Sequence, residues 1–513
     1  MSIEGSTGLL EDRPSRSYRT DQGWLVRHPS RLLLVLLVVS CSLAVGAATA
    51  LRPMAGIGLL VAIWLGLVVL RRPAIGGYVL VGLVPITSGI RSGFPIPVFR
   101  LSQLLVGVIG VAILVTASNR QAVRWKLFDS VMLVFCLFAL VVGLYDDLRL
   151  GAALKTGLGP LFGPFQYLIL YRAVAVSLPA RAQRLFALKL VILASIPVSL
   201  LALLQQFHIS GVNSFIATLT GSTIFQSYDY HYFARATGPF NHWTPLAGYL
   251  LVVMLLGISL MLHEIEGILS RRALLGILIL DAAGLLLSAE LSAMIAIIGG
   301  SLILGVWAGK LRTLLRWAVP VVIILSVAFG SYFAQRLNTE YGASSGTHSS
   351  ALVPQSVEYR LQVWSQQYIP AIHQRELLGY GTTLPASITW PDTESEYITE
   401  LMWGGIPLLL AFLGLMGAFF VRLAPSTRRE GDEPERWAIA RMLAVLLGLL
   451  LVIDTIFPYF TSSGLPQELF AIFGILVAMD RRTVTSSVDR AHGGKHTGAA
   501  GELDVTTGAR VTS

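Results

Sequence analysis

Two arginines and a short run of carboxylates are the side chains here whose types and spacing could do chemistry. Arg235 lies in the aromatic-rich stretch Tyr228-Asp229-Tyr230-His231-Tyr232-Phe233-Ala234-Arg235-Ala236-Thr237-Gly238-Pro239-Phe240-Asn241-His242-Trp243. Arg360 lies in Glu358-Tyr359-Arg360-Leu361-Gln362-Val363-Trp364, followed by Leu378-Gly379-Tyr380-Gly381. The carboxylates follow in Asp392-Thr393-Glu394-Ser395-Glu396-Tyr397-Ile398-Thr399-Glu400, just before Gly404-Gly405-Ile406-Pro407. A guanidinium is a planar fork suited to bidentate contact with phosphate. A carboxylate in a poised site can take a proton from a sugar hydroxyl. Each piece also has a plainer explanation. Tyr and Trp belong to the interfacial belt of membrane proteins, and carboxylates before a helix complement its positive end.

Other chemistries leave no trace. There is no phosphate-binding P-loop and no His-Glu-x-x-His zinc helix. Cys41 and Cys136 fall inside apolar runs and form no framework.

The elements that must position these residues are transmembrane. Of 513 residues, 54% are hydrophobic and 13% charged, and the mean hydropathy is +0.69, outside the range of soluble domains. Apolar runs long enough to cross a roughly 30 Å hydrocarbon layer recur along the chain, and each must close its own backbone bonds as a helix. The fold class expected is therefore all-α, a polytopic transmembrane bundle of about 12–14 spans with a large outer loop containing short helices. Candidate spans are 32–51, 54–70, 73–90, 101–117, 127–145, 158–178, 186–206, 242–262, 273–289, 291–308, 316–334, 404–421, 437–457 and 467–480. Pro164 and Arg172 weaken 158–178, and 467–480 is short.

The net charge of +9 does not point to nucleic acid, because the basic residues are scattered through short loops. With the N-terminus inside, Arg71-Arg72, Arg120/Arg124/Lys126, Arg181/Arg184, Arg271-Arg272, Lys310/Arg312/Arg316, Arg428/Arg429/Arg436 and Arg481-Arg482 all fall inside. The expected plan is a polar cytoplasmic segment 1–31, a membrane domain 32–482 and a disordered cytoplasmic tail 483–513. The loops 207–241 and 335–403 lie outside in this plan, the second as a partly folded cap. Leu361, Trp364 and Tyr368 suggest an amphipathic helix on the membrane surface. Asp281 and Asp454 lie within spans, where ionisable groups are costly; Asp281 is expected to pair with Arg172, unless Arg172 snorkels inward.

The combination of motifs resembles the O-antigen ligase and polymerase family of bacterial membrane proteins. The likeness runs over roughly residues 70–480: Arg-x-Thr-Gly-x-Phe entering a helix, Arg-x-x-x-Trp, Leu-Gly-x-Gly, then Tyr-Ile-x-x-Leu-x-x-x-Gly-Ile. Phe99-Arg100-Leu101-Ser102 is similar to the family's early outer motif. The resemblance implies transfer of a glycan from an undecaprenyl diphosphate carrier to an acceptor hydroxyl of a glycan or glycolipid. It implies no cofactor, neither nucleotide sugar nor metal, and a place in the cytoplasmic membrane. Arg235 and Arg360 would hold the diphosphate, Arg100 would assist, and His242 and Trp364 would line the substrate site. Ligases carry His-Asn where this chain has Glu394-Ser395, so Glu394 is the expected base, with Asp392 and Glu396 as further candidates. The family's Ser-Arg-Gly-Ala reads Ser288-Ala289-Glu290-Leu291-Ser292-Ala293 here, losing an Arg. Two other functions stay open, a transporter or flippase of lipid-linked glycans and a catalytically inactive assembly protein.

Overall fold

The computed structural model describes residues 64–91, 99–118, 125–149, 151, 159–226, 234–341, 355–390, 392–428 and 433–480. The expectations for 1–31, the span 32–51, most of 54–70, the aromatic residues up to Phe233 and the tail from 483 lie outside the described residues.

Among the described residues every regular element is a helix. In chain order they are α1 (Pro73–Thr87) and α2 (Leu101–Leu105, continuing through a π-helical turn Val106–Gly110 to Val111–Ser118). Next come α3 (Leu127–Arg149), α4 (Gly163–Ser177), α5 (Arg181–Gln206) and the short α6 (Val212–Thr220). Then follow α7 (Trp243–Leu262), α8 (Arg271–Ser288), α9 (Leu291–Trp307) and α10 (Leu311–Tyr341). Last are α11 (Gln355–Val363, continuing through Trp364–Tyr368 to Ile369–Gln374), α12 (Glu396–Arg428), α13 (Pro434–Ile453) and α14 (Leu465–Met479). Six of them, α3, α5, α7, α10, α12 and α13, are long and apolar enough to cross a membrane.

Local chemistry sets the starts. Pro434 and Pro466 open α13 and α14, and Pro164 sits in the first turn of α4, where the missing N–H costs nothing. The stretch 158–178 thus holds a helix despite its proline. The short stretch 467–480 holds α14, whose residues are all buried.

Two helices show opposite burial. α7 is enclosed almost completely, packed by α8, α9, α13 and α14. α10 instead turns Leu315, Trp317, Val322, Ile323, Ile324 and Val327 outward, with Val327 84% exposed. Apolar area of that extent, bare along a whole helix, suits contact with lipid tails.

The expected Arg172–Asp281 pair is not formed. Asp281, halfway along α8, accepts instead from Ser195 (2.8 Å) and Ser199 (2.7 Å), one turn apart on α5. Arg172 reaches Asp129 in the first turn of α3 (2.8 Å) and stacks over Trp125, so it extends toward the helix ends rather than across the bundle. That end of the bundle is rich in ion pairs: Arg181 with Glu435 (2.6 Å), Arg184 with Glu433 (2.8 Å), and Asp480 with Lys126 (3.1 Å), Arg422 and Arg436 (2.7 Å). Burial alone would raise the Asp480 carboxyl, but Arg422, Arg436 and Lys126 together hold it below the usual range.

At the other end, α11 and the segment 375–390 form a cap of their own, with Val363, Tyr368, Ala371, Tyr380 and Met402 as its small core. The expected amphipathic helix is α11. Trp364 and Tyr368 pack into the cap, Trp364 donating to Thr393 O (2.8 Å) and Tyr368 to Trp390 O (2.7 Å), while Leu361 is exposed.

Two features dock this cap. Asp147, at the end of α3, accepts from Thr382 N (3.0 Å) and Thr382 Oγ1 (2.8 Å). The second lies in α12, which begins eight residues before the expected 404 but is broken at Gly404-Gly405. The break leaves backbone groups without helical partners, and the cap supplies them: Tyr380 N bonds Met402 O (2.6 Å), Gly381 N bonds Trp403 O (3.2 Å) and Ile406 N bonds Glu376 O (2.7 Å). Gly405 has φ of +66°, and a Cβ there would meet Glu376 O at 2.4 Å, so only glycine allows the approach. The Leu-Gly-x-Gly and Gly-Gly-Ile-Pro motifs are the two sides of one junction.

Candidate functional site

The site is built from segments that the bundle fixes from behind. The first is 234–243. Gln205, near the end of α5, accepts from Thr237 N (2.9 Å) and Gly238 N (2.7 Å) through one oxygen and donates to Thr237 Oγ1 (3.2 Å). Ala236 N bonds Leu287 O (2.9 Å), and Tyr332 of α10 donates to Ala234 O (2.9 Å). Arg235 is thus held on both sides of its own backbone. Its guanidinium lies 4.4 Å from the centre of the Trp243 ring, a cation–π contact that fixes the side chain.

His242 caps α7. Thr244 N donates to His242 Nδ1 (3.3 Å), and Thr244 Oγ1 lies 3.2 Å from the same nitrogen. Burial, with Arg235 beside it, pushes the imidazole down to about 3, so the ring is neutral at physiological pH. Thr244 Oγ1 donates in turn to Glu290 Oε2 (3.2 Å). Glu290 also accepts from Ser292 Oγ (2.8 Å), which lies 2.6 Å from the Tyr459 hydroxyl.

The opposite wall is Arg360 and the segment 392–396. Arg360 Nε donates to Glu394 Oε2 (3.0 Å), both side chains being partly exposed. Glu394 sits in the left-handed region with φ of +55°, as does Ala289 (+51°), the residue before Glu290. Non-glycine residues are uncommon there, and such strain gathers at functional sites. Burial raises the Glu394 carboxyl, Arg360 partly offsets this, and Asp392 and Glu290 add to the rise. Glu290 and Arg360 both act electrostatically on Tyr459. Hydrogen bonds thus join Arg360 to Glu394, and His242 through Thr244 and Glu290 to Ser292 and Tyr459, and longer-range electrostatic influence links these two groups and Arg235.

The other candidates are spread around these groups. Asp392 is exposed beside Glu394. Glu396 is wholly buried, and its Oε2 accepts from Phe460 N (3.0 Å), Thr461 N (3.0 Å) and Thr461 Oγ1 (3.2 Å), binding the 459–463 turn to the start of α12. Arg100 reaches the same turn through Ser463 Oγ (2.9 Å). Trp364 holds Thr393, next to Glu394. Among the described residues, no three His, Cys, Asp or Glu side chains stand together as a metal site.

Three residues that build or support the site escape a reading of motifs. Glu290 reads in the sequence only as a lost arginine, and Tyr459 belongs to no short pattern. Gln205 looks like an ordinary helix end. A hint lies in Ser288 and Ser292 around Glu290, since hydroxyls flanking a carboxylate beside an apolar span need a partner. No protein-family model matches the chain, and no curated protein matches it either.

In chemical terms the segments offer the guanidiniums of Arg235 and Arg360, each of a kind that suits an anion, a carboxylate on a left-handed backbone, and aromatic faces from Trp243, His242 and Phe457.

Proposed function

We propose that this chain is a membrane glycosyltransferase that moves a glycan from an undecaprenyl diphosphate carrier to an acceptor hydroxyl, as a polysaccharide ligase or polymerase. The observation that carries this reading is the Arg360–Glu394 pair (3.0 Å), which sets an anion-binding group against a proton acceptor on a strained backbone. Arg360 commits only Nε among the described residues, leaving its two terminal nitrogens for phosphate oxygens. In the transfer, the acceptor oxygen attacks the anomeric carbon and its proton passes to Glu394. The bond from that carbon to the diphosphate breaks, and the electron pair leaves with the diphosphate, where Arg235 and Arg360 stabilise the growing charge. Arg100 steadies the adjoining turn, and Asp392 and Glu396 are the other carboxylates within the segment.

The proposed setting is the cytoplasmic membrane, with both termini inside and the site on the outer side. The basic residues Lys126, Arg181, Arg184, Arg422 and Arg436 gather at the opposite end of the bundle from the cap, which supports that orientation.

The test is direct. Purified protein in nanodiscs, given undecaprenyl-diphosphate oligosaccharide and a glycan acceptor, should form the joined glycan and release undecaprenyl diphosphate. Absence of both products across several acceptors overturns the proposal. A transporter of the same lipid draws support from the buried carboxylates Glu400 and Glu468, each with an oxygen lacking a hydrogen-bond partner among the described residues. It would move the carrier across vesicles with its glycan bond intact.

A further inference from the structure

His242 has a geometry that fixes where its ring proton sits. A neutral imidazole carries one proton, on Nδ1 or Nε2. The backbone N–H of Thr244 points at Nδ1 from 3.3 Å and, belonging to the first turn of α7, cannot be turned away. A second proton on Nδ1 would face that N–H head-on. Nδ1 therefore presents its lone pair, and the ring proton is left on Nε2. The Thr244 hydroxyl does not reverse this, because it donates to Glu290 Oε2 (3.2 Å) and is free to rotate.

Nε2 makes no hydrogen bond among the described residues, and the half-buried ring keeps it in reach of a ligand. The charged groups around the ring are Arg235 on its own segment and Glu290 across Thr244. The ring also lies against Trp243, tilted to it with 3.8 Å between centres, and Trp243 carries the Arg235 guanidinium over its own ring. A fixed N–H donor and a guanidinium thus both adjoin one tryptophan, a pairing that suits an anion with several oxygens.

We infer that His242 is an uncharged N–H donor to the same diphosphate oxygens that Arg235 binds, its proton locked on Nε2 by the start of α7. This rests on the diphosphate reading above and assigns His242 to the leaving-group side, apart from Glu394 on the acceptor side. A neutral donor gives hydrogen-bond stabilisation without adding a second full cation beside Arg235, and burial with Arg235 close by disfavours the imidazolium in any case.

Histidine-15N-labelled protein in nanodiscs tests the inference, with His242→Asn identifying the resonance. Asparagine is itself a good N-cap, so this variant keeps the start of α7 while withdrawing the longer donor. The expected result is a proton on Nε2 and a bare Nδ1 from pH 5 to pH 8, with the Nε2–H signal shifting when inorganic pyrophosphate is added. In His242→Asn, pyrophosphate affinity should fall about 10- to 100-fold, the loss of one hydrogen bond to a charged group. A proton on Nδ1, an Nε2–H signal that pyrophosphate leaves unmoved, or an unchanged affinity overturns the inference. A pyrophosphate response without glycan transfer upholds the donor and removes the transferase. Glycan transfer without that response does the reverse.

Discussion

Nε of Arg360 and Oε2 of Glu394 meet at 3.0 Å across 34 positions of sequence, joining α11 to the strained turn before α12. The proposed transfer would place its proton acceptor and its anion-binding group in this pair, and the first two predictions follow from it.

Glu394→Gln keeps the shape of the turn and removes the proton acceptor. Glycan transfer should fall about 10²- to 10⁴-fold while carrier binding survives. Turnover at the unmodified rate would exclude Glu394, and the same result for Asp392 and Glu396 would reject a carboxylate base here altogether.

The pH profile follows from the direction of the Glu394 shift. A base works ionised, and burial raises this carboxyl above its ordinary value of 4.5, Arg360 notwithstanding. Activity should therefore be lost on acidification at a pH above 4.5, and Glu394→Gln should abolish that limb. A limb below 4.5, or one surviving in the variant, assigns the titration to another group.

Arg235→Lys and Arg360→Lys retain charge but lose the planar fork. Each should weaken transfer about 10- to 100-fold, the scale of one charge-assisted hydrogen bond. The structure holds both arginines rigidly, Arg235 over Trp243 and Arg360 on Glu394, so lysine should not compensate by flexing. Full activity of either variant counts against bidentate phosphate binding.

Gln205→Leu tests whether the 234–243 segment is positioned from α5. It strips Thr237 N and Gly238 N of their acceptor, at a cost of about 1–3 kcal/mol for each buried group left unsatisfied. Melting temperature should drop, and transfer should decline because the segment carrying Arg235 loses its anchor on α5. A stable variant with intact activity would show that the segment holds itself.

Orientation is open to a chemical probe. Ser387 is exposed in the cap, whereas the native Cys136 is buried. Ser387→Cys should react with an impermeant thiol reagent in intact cells; reaction only after lysis inverts the proposed threading.

Helix positions were legible in the sequence because the bilayer constraint acts on every apolar run at once: α3, α5, α7 and α13 fall where uninterrupted hydrophobicity places them. The glycines at 379, 381, 404 and 405 were visible as motifs, but the break at Gly404-Gly405 and the junction it makes with 376–381 were not, because the bonds joining them are backbone to backbone. Charge pairing was not. Arg172 and Asp281 share a depth expectation but no face, and two serines on α5 satisfy Asp281 in a way that residue type alone does not reveal. The start of α12 was hidden for a similar reason. The segment 396–403 is polar enough to pass for a loop, and only the burial of Glu396 and Glu400 against other chain segments makes it helical. Glu290 escaped notice because its partners, Thr244, Ser292 and Tyr459, come from three separate stretches.

The interrupted turn at Gly404-Gly405 has a mechanical corollary. Its unpaired carbonyls and amide are spent on residues 376–381, so at this junction the cap is held to α12 by main-chain bonds, beside the side-chain contact of Thr382 with Asp147 of α3. Such a segment has no altitude of its own. When the upper part of α12 shifts along its axis, the cap travels with it, and Glu394 two residues before the helix does the same. The height of Arg360 along the bundle is thereby tied to α12, a rod that runs from the cap to the Arg422–Asp480 pair at the far end.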